Sequence, residues 1–332
     1  MSKNPATLGD AGERGVLAEV LAALAVVVTD GVLVGPGDDT ALLTVRRGAV
    51  LATTDTMVLD RDWKEEWSSA RDVGIKIVTQ NLADLASMGG VGTGLLLTLV
   101  APEQLPLRWA CELAEGIAWA AGRVGVPVIG GDLSSAAPGM VAVSITALGE
   151  LAEGVDRPVL RSTARPGEVL AVSGPLGRAG SGWVLLKDGV LQGRNECERT
   201  ALDHQRRPLT DLTQGPIAAR AGATSMIDVS DGLVRDGDRI ARDSGVRLVL
   251  DEDAVRALAR DLGPALTHDE ALRQVLSGGE EHELLATFPD RACLPTGWSV
   301  LGEVSAAQER PGVWWRGVRL DPRQGGWDHF GG

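Results

Sequence analysis

The sequence contains no tyrosine, two phenylalanines and three cysteines, and each scarcity excludes a kind of chemistry. Without tyrosine, no phenol can act as an acid, a base or a nucleophile. Cys111, Cys197 and Cys293 stand singly, with no Cys-x-x-Cys pair, so neither a zinc site nor a disulfide framework is predicted. We expect three inert thiols in a protein of the reducing cytoplasm.

Basic residues are fewer than acidic ones, which gives a formal net charge of −13, and only four residues are lysine. Such a balance argues against binding to nucleic acid or to anionic lipid. The apolar run at 16–28 includes Glu19 and is too short to span a bilayer, so it predicts an amphipathic helix and no membrane partner. An acidic protein that binds an acidic nucleotide needs cations between the two.

The common phosphate-binding loops are missing. No lysine follows a glycine, which excludes the Gly-x-x-x-x-Gly-Lys-Ser/Thr loop. The segment 90–94, Gly-Val-Gly-Thr-Gly, lacks the third glycine position of the dinucleotide fingerprint, and we expect it to end a helix. Neither common nucleotide-binding fold is predicted.

Carboxylates are abundant where short apolar runs, typical of buried strands, break off. Six such aspartates are Asp38 and Asp39 after 32–34, Asp55 after 49–52, Asp132 after 126–129, and Asp228 and Asp231 after 226–227. Asp84 joins them from a predicted helix, and Thr53 and Thr54 add further oxygen atoms. Gathered carboxylates repel one another unless cations separate them, and oxygen ligands suit Mg²⁺. Two interpretations stay open: helix caps and turns, or a Mg²⁺–phosphate site.

Periodicity predicts a mixed α/β chain in two halves. Helices are expected at 12–28, 72–88, 107–124 and 180–186, with another that begins at 227–231, has Asp231 as its N-cap and ends at Gly245. Strands are expected at 32–34, 50–54, 95–100, 126–129, 141–148, 169–173, 246–250 and 283–288. The segment 60–67 is predicted to be an exposed loop, and 150–167 a connection between domains.

Seven short motifs, in this order, resemble the thiamine-monophosphate kinase family, which lies in the aminoimidazole ribonucleotide synthetase superfamily. The resemblance runs nearly from end to end, and the closing Gly-Gly-Trp-Asp-His-Phe-Gly-Gly resembles the actinobacterial branch. The motifs are Gly37-Asp38-Asp39, Thr53-Thr54-Asp55, Asn81-Leu82-Ala83-Asp84-Leu85-Ala86-Ser87-Met88-Gly89, Gly130-Gly131-Asp132, Asp228-Val229-Ser230-Asp231-Gly232-Leu233, Gly278-Gly279-Glu280 and Gly326-Trp327-Asp328-His329-Phe330.

The resemblance implies an α/β (α+β) chain with the two-domain aminoimidazole ribonucleotide synthetase-like fold. Residues 1–152 would form an ATP- and Mg²⁺-binding domain whose mixed sheet pairs across a homodimer, and 153–332 a C-terminal α/β domain. The implied activity is the transfer of the ATP γ-phosphoryl group to thiamine monophosphate in thiamine diphosphate biosynthesis. This phosphotransferase would take ATP as co-substrate and several Mg²⁺ ions as cofactors.

The same resemblance assigns residues to roles. Metals would do the positioning, so no catalytic side chain is implied. The implied Mg²⁺ ligands are Asp39, Thr53, Thr54, Asp55, Asp84, Asp132, Asp228 and Asp231. The implied ATP contacts are Gly131, Asp132, Arg161 and Ser230, and the implied substrate contacts are Asp62, Glu280 and Trp327, with Trp327 stacking on a thiamine ring.

Two positions depart from the family pattern. Asp62 stands where the family has a histidine that contacts substrate, and an acid there would repel a substrate phosphate unless a cation intervened. Glu281 stands where the second acid is usually aspartate. His282 is predicted to lie in the pocket or at its rim, and His204 and His268 to lie on the surface.

Two alternatives accompany the kinase interpretation. One is a homologue that binds nucleotide or thiamine phosphate without turnover, which Asp62 motivates. The other is a sibling ATP-dependent enzyme of the superfamily. Selenophosphate synthetase carries a reactive residue near its N-terminus, whereas Cys111 is the first cysteine here, and hydrogenase-maturation relatives end in cysteine, whereas this sequence ends Phe330-Gly331-Gly332.

Overall fold

The computed structural model describes residues 7–24, 29–36, 40–307 and 310–324. Two compact units are present: unit 1 comprises Met1–Leu85 and Val91–Glu150, and unit 2 comprises Ala86–Gly90 and Leu151–Gly332. The domain roles predicted for 1–152 and 153–332 stay a proposal. In the described part of the chain, no helix has the length and apolar character that a membrane crossing requires.

Unit 1 is built on a four-stranded sheet. The strand order is β3-β6-β4-β5, with β3 and β6 antiparallel and β4 and β5 parallel. A two-stranded β1-β2 sheet lies in the same unit. Its elements are α1 Leu8–Leu24, β1 Val32–Val34, β2 Leu42–Leu43, β3 Leu51–Val58, α2 Ala70–Ser87, β4 Gly90–Ala101, α3 Leu107–Gly122, β5 Val128–Ser135 and β6 Ala142–Leu151.

Helix α2 follows from apolar side chains at helical spacing, as predicted, and it packs on the sheet and on α3. A Cβ at Gly92 of β4 would press on Leu82 of α2, and a Cβ at Gly149 of β6 would press on Leu85. These two leucines therefore lie on the side of α2 that faces the sheet. The α2–α3 contact is closer still, because a Cβ at Gly116 would collide with the backbone carbonyl of Arg71. Glycine is therefore required where the two helices meet.

Two predictions for unit 1 are wrong. The segment 90–94 does not end a helix but begins β4, where a Cβ at Gly94 would meet Ile129 at 2.8 Å, so small residues are needed for the strand to pack. The segment 60–67 is not wholly an exposed loop, because Trp63 is buried and stacks on Trp109 of α3 at 6.4 Å between ring centroids.

Unit 2 is built on a seven-stranded mixed sheet in the order β13-β12-β9-β11-β7-β10-β8. Among the described strands of this sheet, β9 and β12 pair in parallel and the other neighbours pair antiparallel. Its elements are β7 Val169–Val172, α4 Arg178–Lys187, α5 Glu196–Arg206, α6 Gln214–Arg220, β8 Ser225–Asp228, α7 Leu233–Ser244, β9 Val246–Leu250, α8 Glu252–Asp261, α9 His268–Ser277, β10 Leu284–Phe288, β11 Ser299–Ala306, β12 Gly312–Trp315 and β13 Val318–Arg319.

The central strands of unit 2 are buried on both faces. In β10, Leu284, Ala286 and Phe288 join one apolar cluster while Leu285 joins the other. Successive side chains of a strand point to opposite faces, so each cluster lies on its own side of the sheet. This explains the continuous apolar run that predicts β10.

Strand ends differ from the prediction at two aspartates, and one predicted helix cap differs as well. Asp55 and Asp132 lie inside β3 and β5, because the polar residues after each apolar run continue the sheet pairing. Asp228 does end β8, but α7 begins only at Leu233, and its N-cap is Gly232, which makes no side-chain cap. The predicted N-cap role of Asp231 is therefore wrong.

The close α2–α3 contact yields a stability prediction. Gly116→Ala should lower the free energy of unfolding by about 1–3 kcal/mol, because the added methyl collides with backbone that cannot rotate away. Gly15→Ala in α1, where the new Cβ meets only the Ala11 methyl at 3.3 Å, is the control and should be neutral or stabilising by up to about 1 kcal/mol. Urea unfolding measures both. Equal effects of the two substitutions would contradict the packing argument.

Candidate active site

In unit 1, strand β3 presents its polar residues to opposite faces of the sheet. The Thr53 hydroxyl donates to Oδ2 of Asp84 on α2 at 2.6 Å, which brings together two residues 31 positions apart. Asp55 shares this face by alternation. The Thr54 hydroxyl points the other way, is exposed, and donates to the carbonyl of Ile145 at 3.0 Å. The Thr54 hydroxyl therefore lies on the face of β3 opposite to Asp84.

The second predicted position in unit 1 is on β5. Asp132 and Gly131 are both exposed, and the Ser134 hydroxyl donates to Asp132 Oδ2 at 2.8 Å, which orients that carboxylate. A Cβ at Gly131 would collide with the carbonyl of Leu97 on β4, so glycine is required for this pairing. The structure thus presents a carboxylate beside bare backbone, a surface that phosphate oxygens can approach closely.

Asp62 has a structural partner. Its Oδ2 accepts from the Val58 amide at 2.7 Å, and its own amide donates to the Val58 carbonyl at 2.9 Å, so Asp62 closes the turn that follows β3. Asp60 in this turn has φ of 65°. The acid that replaces the family's histidine therefore shapes this turn. Asp38, Asp39 and Trp327 lie outside the described residues.

In unit 2, two loops are joined by hydrogen bonds. The loop Asp228–Asp231 follows β8, and the loop Gly279–Glu283 precedes β10. The Glu280 amide donates to the Ser230 carbonyl at 2.7 Å, and the His282 amide to the Val229 carbonyl at 2.9 Å. Asp228, Ser230 and Glu280, all predicted site residues, are thereby brought together.

Asp231 belongs to an ion-pair group that the sequence did not reveal. Arg239 reaches Asp231 Oδ2 and Asp236 Oδ1, each at 2.5 Å, and the Asp231 amide donates to Asp236 Oδ2 at 2.8 Å. Asp236 is fully buried, and this burial, with the nearby negative charge of Asp228, raises its pKa to about 8. Arg235 also lies 3.8 Å from Asp231 Oδ2. Aspartates so close together disfavour one another's charged forms, which a nearby cation would stabilise.

A pair formed by a buried acid and a histidine was also missed. Glu281 is fully buried, accepts from the Ala179 amide at the start of α4 at 2.7 Å, and lies 3.2 Å from His204 Nε2. The prediction that His204 lies on the surface is therefore wrong, whereas His282, predicted to lie in the pocket or at its rim, is buried. The only sequence signal was the Glu-Glu-His-Glu run at 280–283, since the partner on α5 is distant in sequence.

Arg161 lies on the surface of unit 2. Its guanidinium pairs with Asp243 at 2.6 Å, and both side chains are substantially exposed. An exposed pair of this kind contributes little stability, so the arginine can exchange partners readily. The geometry leaves Arg161 available to an anion at small cost.

The donor set determines which cation would fit. Across the described ranges, no three or more histidine, cysteine, aspartate or glutamate side chains are grouped so as to hold a metal ion. The carboxylates instead occur as small sets with hydroxyl neighbours, such as Thr53 with Asp84. Mg²⁺ uses one or two carboxylates and completes its shell with water and phosphate oxygens, so this donor set suits Mg²⁺ better than a metal that needs an all-protein cage.

Comparison with known proteins shows the family. Residues 37–151 match the family model "AIR synthase related protein, N-terminal domain", and residues 165–313 match the corresponding C-terminal domain model. The fold therefore defines an AIR synthase-related protein. Thiamine-monophosphate kinase of Mycobacterium tuberculosis is 39% identical over 310 residues, which cover 90% of this chain and 86% of the relative. The chain belongs to the thiamine-monophosphate kinase family.

Solved structures give the same family. The crystal structure of thiamine-monophosphate kinase from Stenotrophomonas maltophilia superposes with a TM-score of 0.78 at 29% identity, covering 92% of this chain and 97% of that one. AaThiL complexed with AMPPCP and TMP superposes with a TM-score of 0.72 at 25% identity, covering 97% and 98%. Both match nearly the whole of this chain, and the predicted two-domain α/β fold is confirmed.

The buried Glu283 yields a pH prediction. Burial raises the pKa of Glu283 above its ordinary value of 4.5, despite the 2.6 Å hydrogen bond from Ser173. The folded state therefore holds a proton that the unfolded state releases. The contribution of Glu283 to the free energy of unfolding is complete below pH 4.5 and is lost as pH rises through the folded pKa. The slope of the free energy of unfolding against pH can reach about 1.4 kcal/mol per pH unit.

Glu283→Gln should flatten this slope, because the amide keeps the acceptor for Ser173 and does not titrate. Glu303→Gln, at an exposed position of β11, is the control and should leave the slope unchanged. Urea unfolding at a series of pH values gives the slopes. A Glu283→Gln slope equal to that of the wild-type chain would show that Glu283 does not hold the proton.

Proposed function

We propose that this chain transfers the γ-phosphoryl group of ATP to thiamine monophosphate, forming thiamine diphosphate. The observation that carries the proposal is the match over nearly the whole chain to thiamine-monophosphate kinases, which includes a structure complexed with AMPPCP and TMP. The orientation of oxygen donors in both units is consistent with it. The chain is thus a phosphotransferase of thiamine diphosphate biosynthesis.

Several Mg²⁺ ions are the cofactors we propose, because each unit supplies oxygen donors of the required kind. Bound Mg²⁺ would screen the negative charge of the donor and acceptor phosphates. In unit 2 the closely spaced Asp228, Asp231 and Asp236 favour a nearby cation. The proposed ligands are Asp39, Thr53, Thr54 through its main-chain oxygen, Asp55, Asp84 and Asp132 of the first half, and Asp228 and Asp231 of the second.

Hydrogen bonds hold these donors in place before substrate arrives. Thr53 restrains one oxygen of Asp84, Ser134 restrains one of Asp132, and Arg239 restrains one of Asp231. Positioning of this kind lowers the barrier without a protein nucleophile, because phosphoryl transfer depends on alignment and on charge stabilisation. We therefore assign no catalytic side chain.

ATP and thiamine monophosphate would contact different groups. Gly131 and Asp132 offer backbone and carboxylate on β5, Ser230 lies in the loop after β8, and Arg161 can exchange Asp243 for a phosphate oxygen. Glu280, which accepts from Gln205 at 3.2 Å, and Trp327 are the proposed contacts of the thiamine moiety. Asp62 is proposed to act near the substrate by shaping the turn after β3.

A homodimer through the sheet of unit 1 is part of the proposal. On β3, Thr54 and Thr56 are exposed on the face opposite to Thr53. A cavity of about 290 Å³ in the same unit is lined largely by apolar side chains, including Leu96, Ile129 and Leu148. A second copy would cover such a surface. The cytoplasmic location likewise stays a prediction.

The second candidate is a binding protein without turnover, and Asp62 is the observation that favours it. Its carboxylate is committed to the Val58 amide and cannot donate a hydrogen bond to a substrate phosphate, as a histidine can. Binding of ATP and thiamine monophosphate would then persist while phosphoryl transfer failed. Turnover discriminates the two candidates.

The decisive assay mixes the protein with ATP, Mg²⁺ and thiamine monophosphate and measures thiamine diphosphate. Asp84→Asn should reduce turnover by roughly two to three orders of magnitude, the scale of losing one fixed electrostatic contact in the transition state. Its fold should persist, because the amide oxygen can still accept from Thr53. Exposed Asp261→Asn is the control and should retain turnover. A wild-type protein that binds Mg²⁺-ATP and makes no product would overturn the kinase proposal.

Substitutions of Asp62 separately test the proposed binding of thiamine monophosphate. Asp62→Asn keeps an oxygen for the Val58 amide and removes the charge, so KM for thiamine monophosphate should fall several-fold as repulsion is lost. Asp62→Ala removes the acceptor and should lower the free energy of unfolding by about 1 kcal/mol. Steady-state kinetics and thermal unfolding separate these effects. An unchanged KM in Asp62→Asn would place the Asp62 charge away from the substrate.

A further inference from the structure

His282 is buried in unit 2 and its side chain points at a proposed metal ligand. Nδ1 of His282 lies 3.1 Å from Oδ2 of Asp228, and both residues are buried. The two are 54 positions apart in sequence, so only the fold brings them together. The proposed mechanism gives His282 no role.

The backbone around His282 holds the imidazole at this position. Glu280 and His282 have φ of 64° and 56°, in the left-handed region that costs a non-glycine residue of the order of 1 kcal/mol. Hydrogen bonds compensate: the His282 amide donates to Val229, and the Val229 amide donates to Glu283 at 2.8 Å. A conformation kept at such a cost fixes the direction in which the side chain leaves the chain.

The chemistry of the contact determines the proton's position. An ionised carboxylate only accepts hydrogen bonds, so Nδ1 must carry the proton and donate it to Asp228 Oδ2. This bond restrains the carboxylate plane and leaves Oδ1 to face a further ligand. Metal-ligating carboxylates are commonly hydrogen-bonded by such outer groups, whose loss weakens metal binding.

We propose that His282 is a positioning residue that orients Asp228 for Mg²⁺. The inference rests on the proposed function, because it requires Asp228 to be a metal ligand. It also explains why an imidazole is buried between the two loops, where a purely apolar ring would leave Asp228 Oδ2 without this donor. His282 itself does not contact the reacting groups.

Mn²⁺ binding in the presence of a non-hydrolysable ATP analogue tests the proposal without turnover. The paramagnetic resonance signal of free Mn²⁺ reports the affinity. His282→Phe, which keeps a ring and removes the donor, should weaken Mn²⁺ binding by about 10–100-fold. His282→Asn, whose amide nitrogen can replace Nδ1, should recover most of the affinity. His268→Asn on the exposed start of α9 is the control and should bind as the wild-type chain does.

The proposal requires that His282 affects Mn²⁺ affinity through Asp228. In an Asp228→Asn background, His282→Phe should cause no further loss, whereas an equal further loss would reduce His282 to a packing role and overturn the proposal. Wild-type affinity in His282→Phe would overturn it as well. If Asp228→Asn itself leaves Mn²⁺ affinity unchanged, the proposed metal site fails, and the positioning role fails with it. The Asp228→Asn result therefore distinguishes the two failures.

A measurement on the wild-type chain covers the case in which His282→Phe does not fold. Nitrogen-resolved NMR of the histidine side chains, with His282 assigned by its absence in His282→Asn, should show the tautomer with the proton on Nδ1. A neutral His282 with its proton on Nε2 could not donate to Asp228 and would overturn the proposal.

Discussion

Buried carboxylates that must find hydrogen-bond donors are the constraint on which the rest of unit 2 depends. Asp236 and Glu281 are fully removed from solvent, and an unpaired charge there would cost several kcal/mol. Glu281 is satisfied by the first amides of α4, and Asp236 by Arg239 and the Asp231 amide. These bonds fix the loops in which the predicted site residues lie. Ordered loops are thus a consequence of burying acids.

The same constraint connects structure to chemistry. Asp228, Asp231 and Asp236 lie close together beside Arg239 and Arg235, and the pKa of Asp236 is raised to about 8 by burial and by Asp228. Such a group favours either a proton or a metal cation. In unit 1 the acids are less buried and are oriented by hydroxyl groups, as Thr53 orients Asp84. Both arrangements leave carboxylate oxygens that Mg²⁺ can bind together with phosphate oxygens.

The two-domain α/β fold could be predicted from the sequence because motif order and periodicity are local signals, whereas the roles of the site residues stay a prediction. Helix α2 follows from its apolar spacing, and Gly245 ends α7 as predicted. The failures share a cause. Asp55 and Asp132 lie within strands because pairing with β6 and β4 continues past the apolar run, and pairing depends on residues elsewhere in the chain. His204 was misplaced for the same reason, since its partner Glu281 is distant in sequence.

The account's central claim is that fixed charge and alignment transfer the phosphoryl group directly, with no covalent intermediate on the protein. The most direct test uses ATP whose γ-phosphoryl group is made chiral with oxygen isotopes, followed by stereochemical analysis of the thiamine diphosphate formed. One in-line displacement predicts inversion of configuration at phosphorus. Net retention would require two displacements through a phosphorylated side chain and would contradict the account.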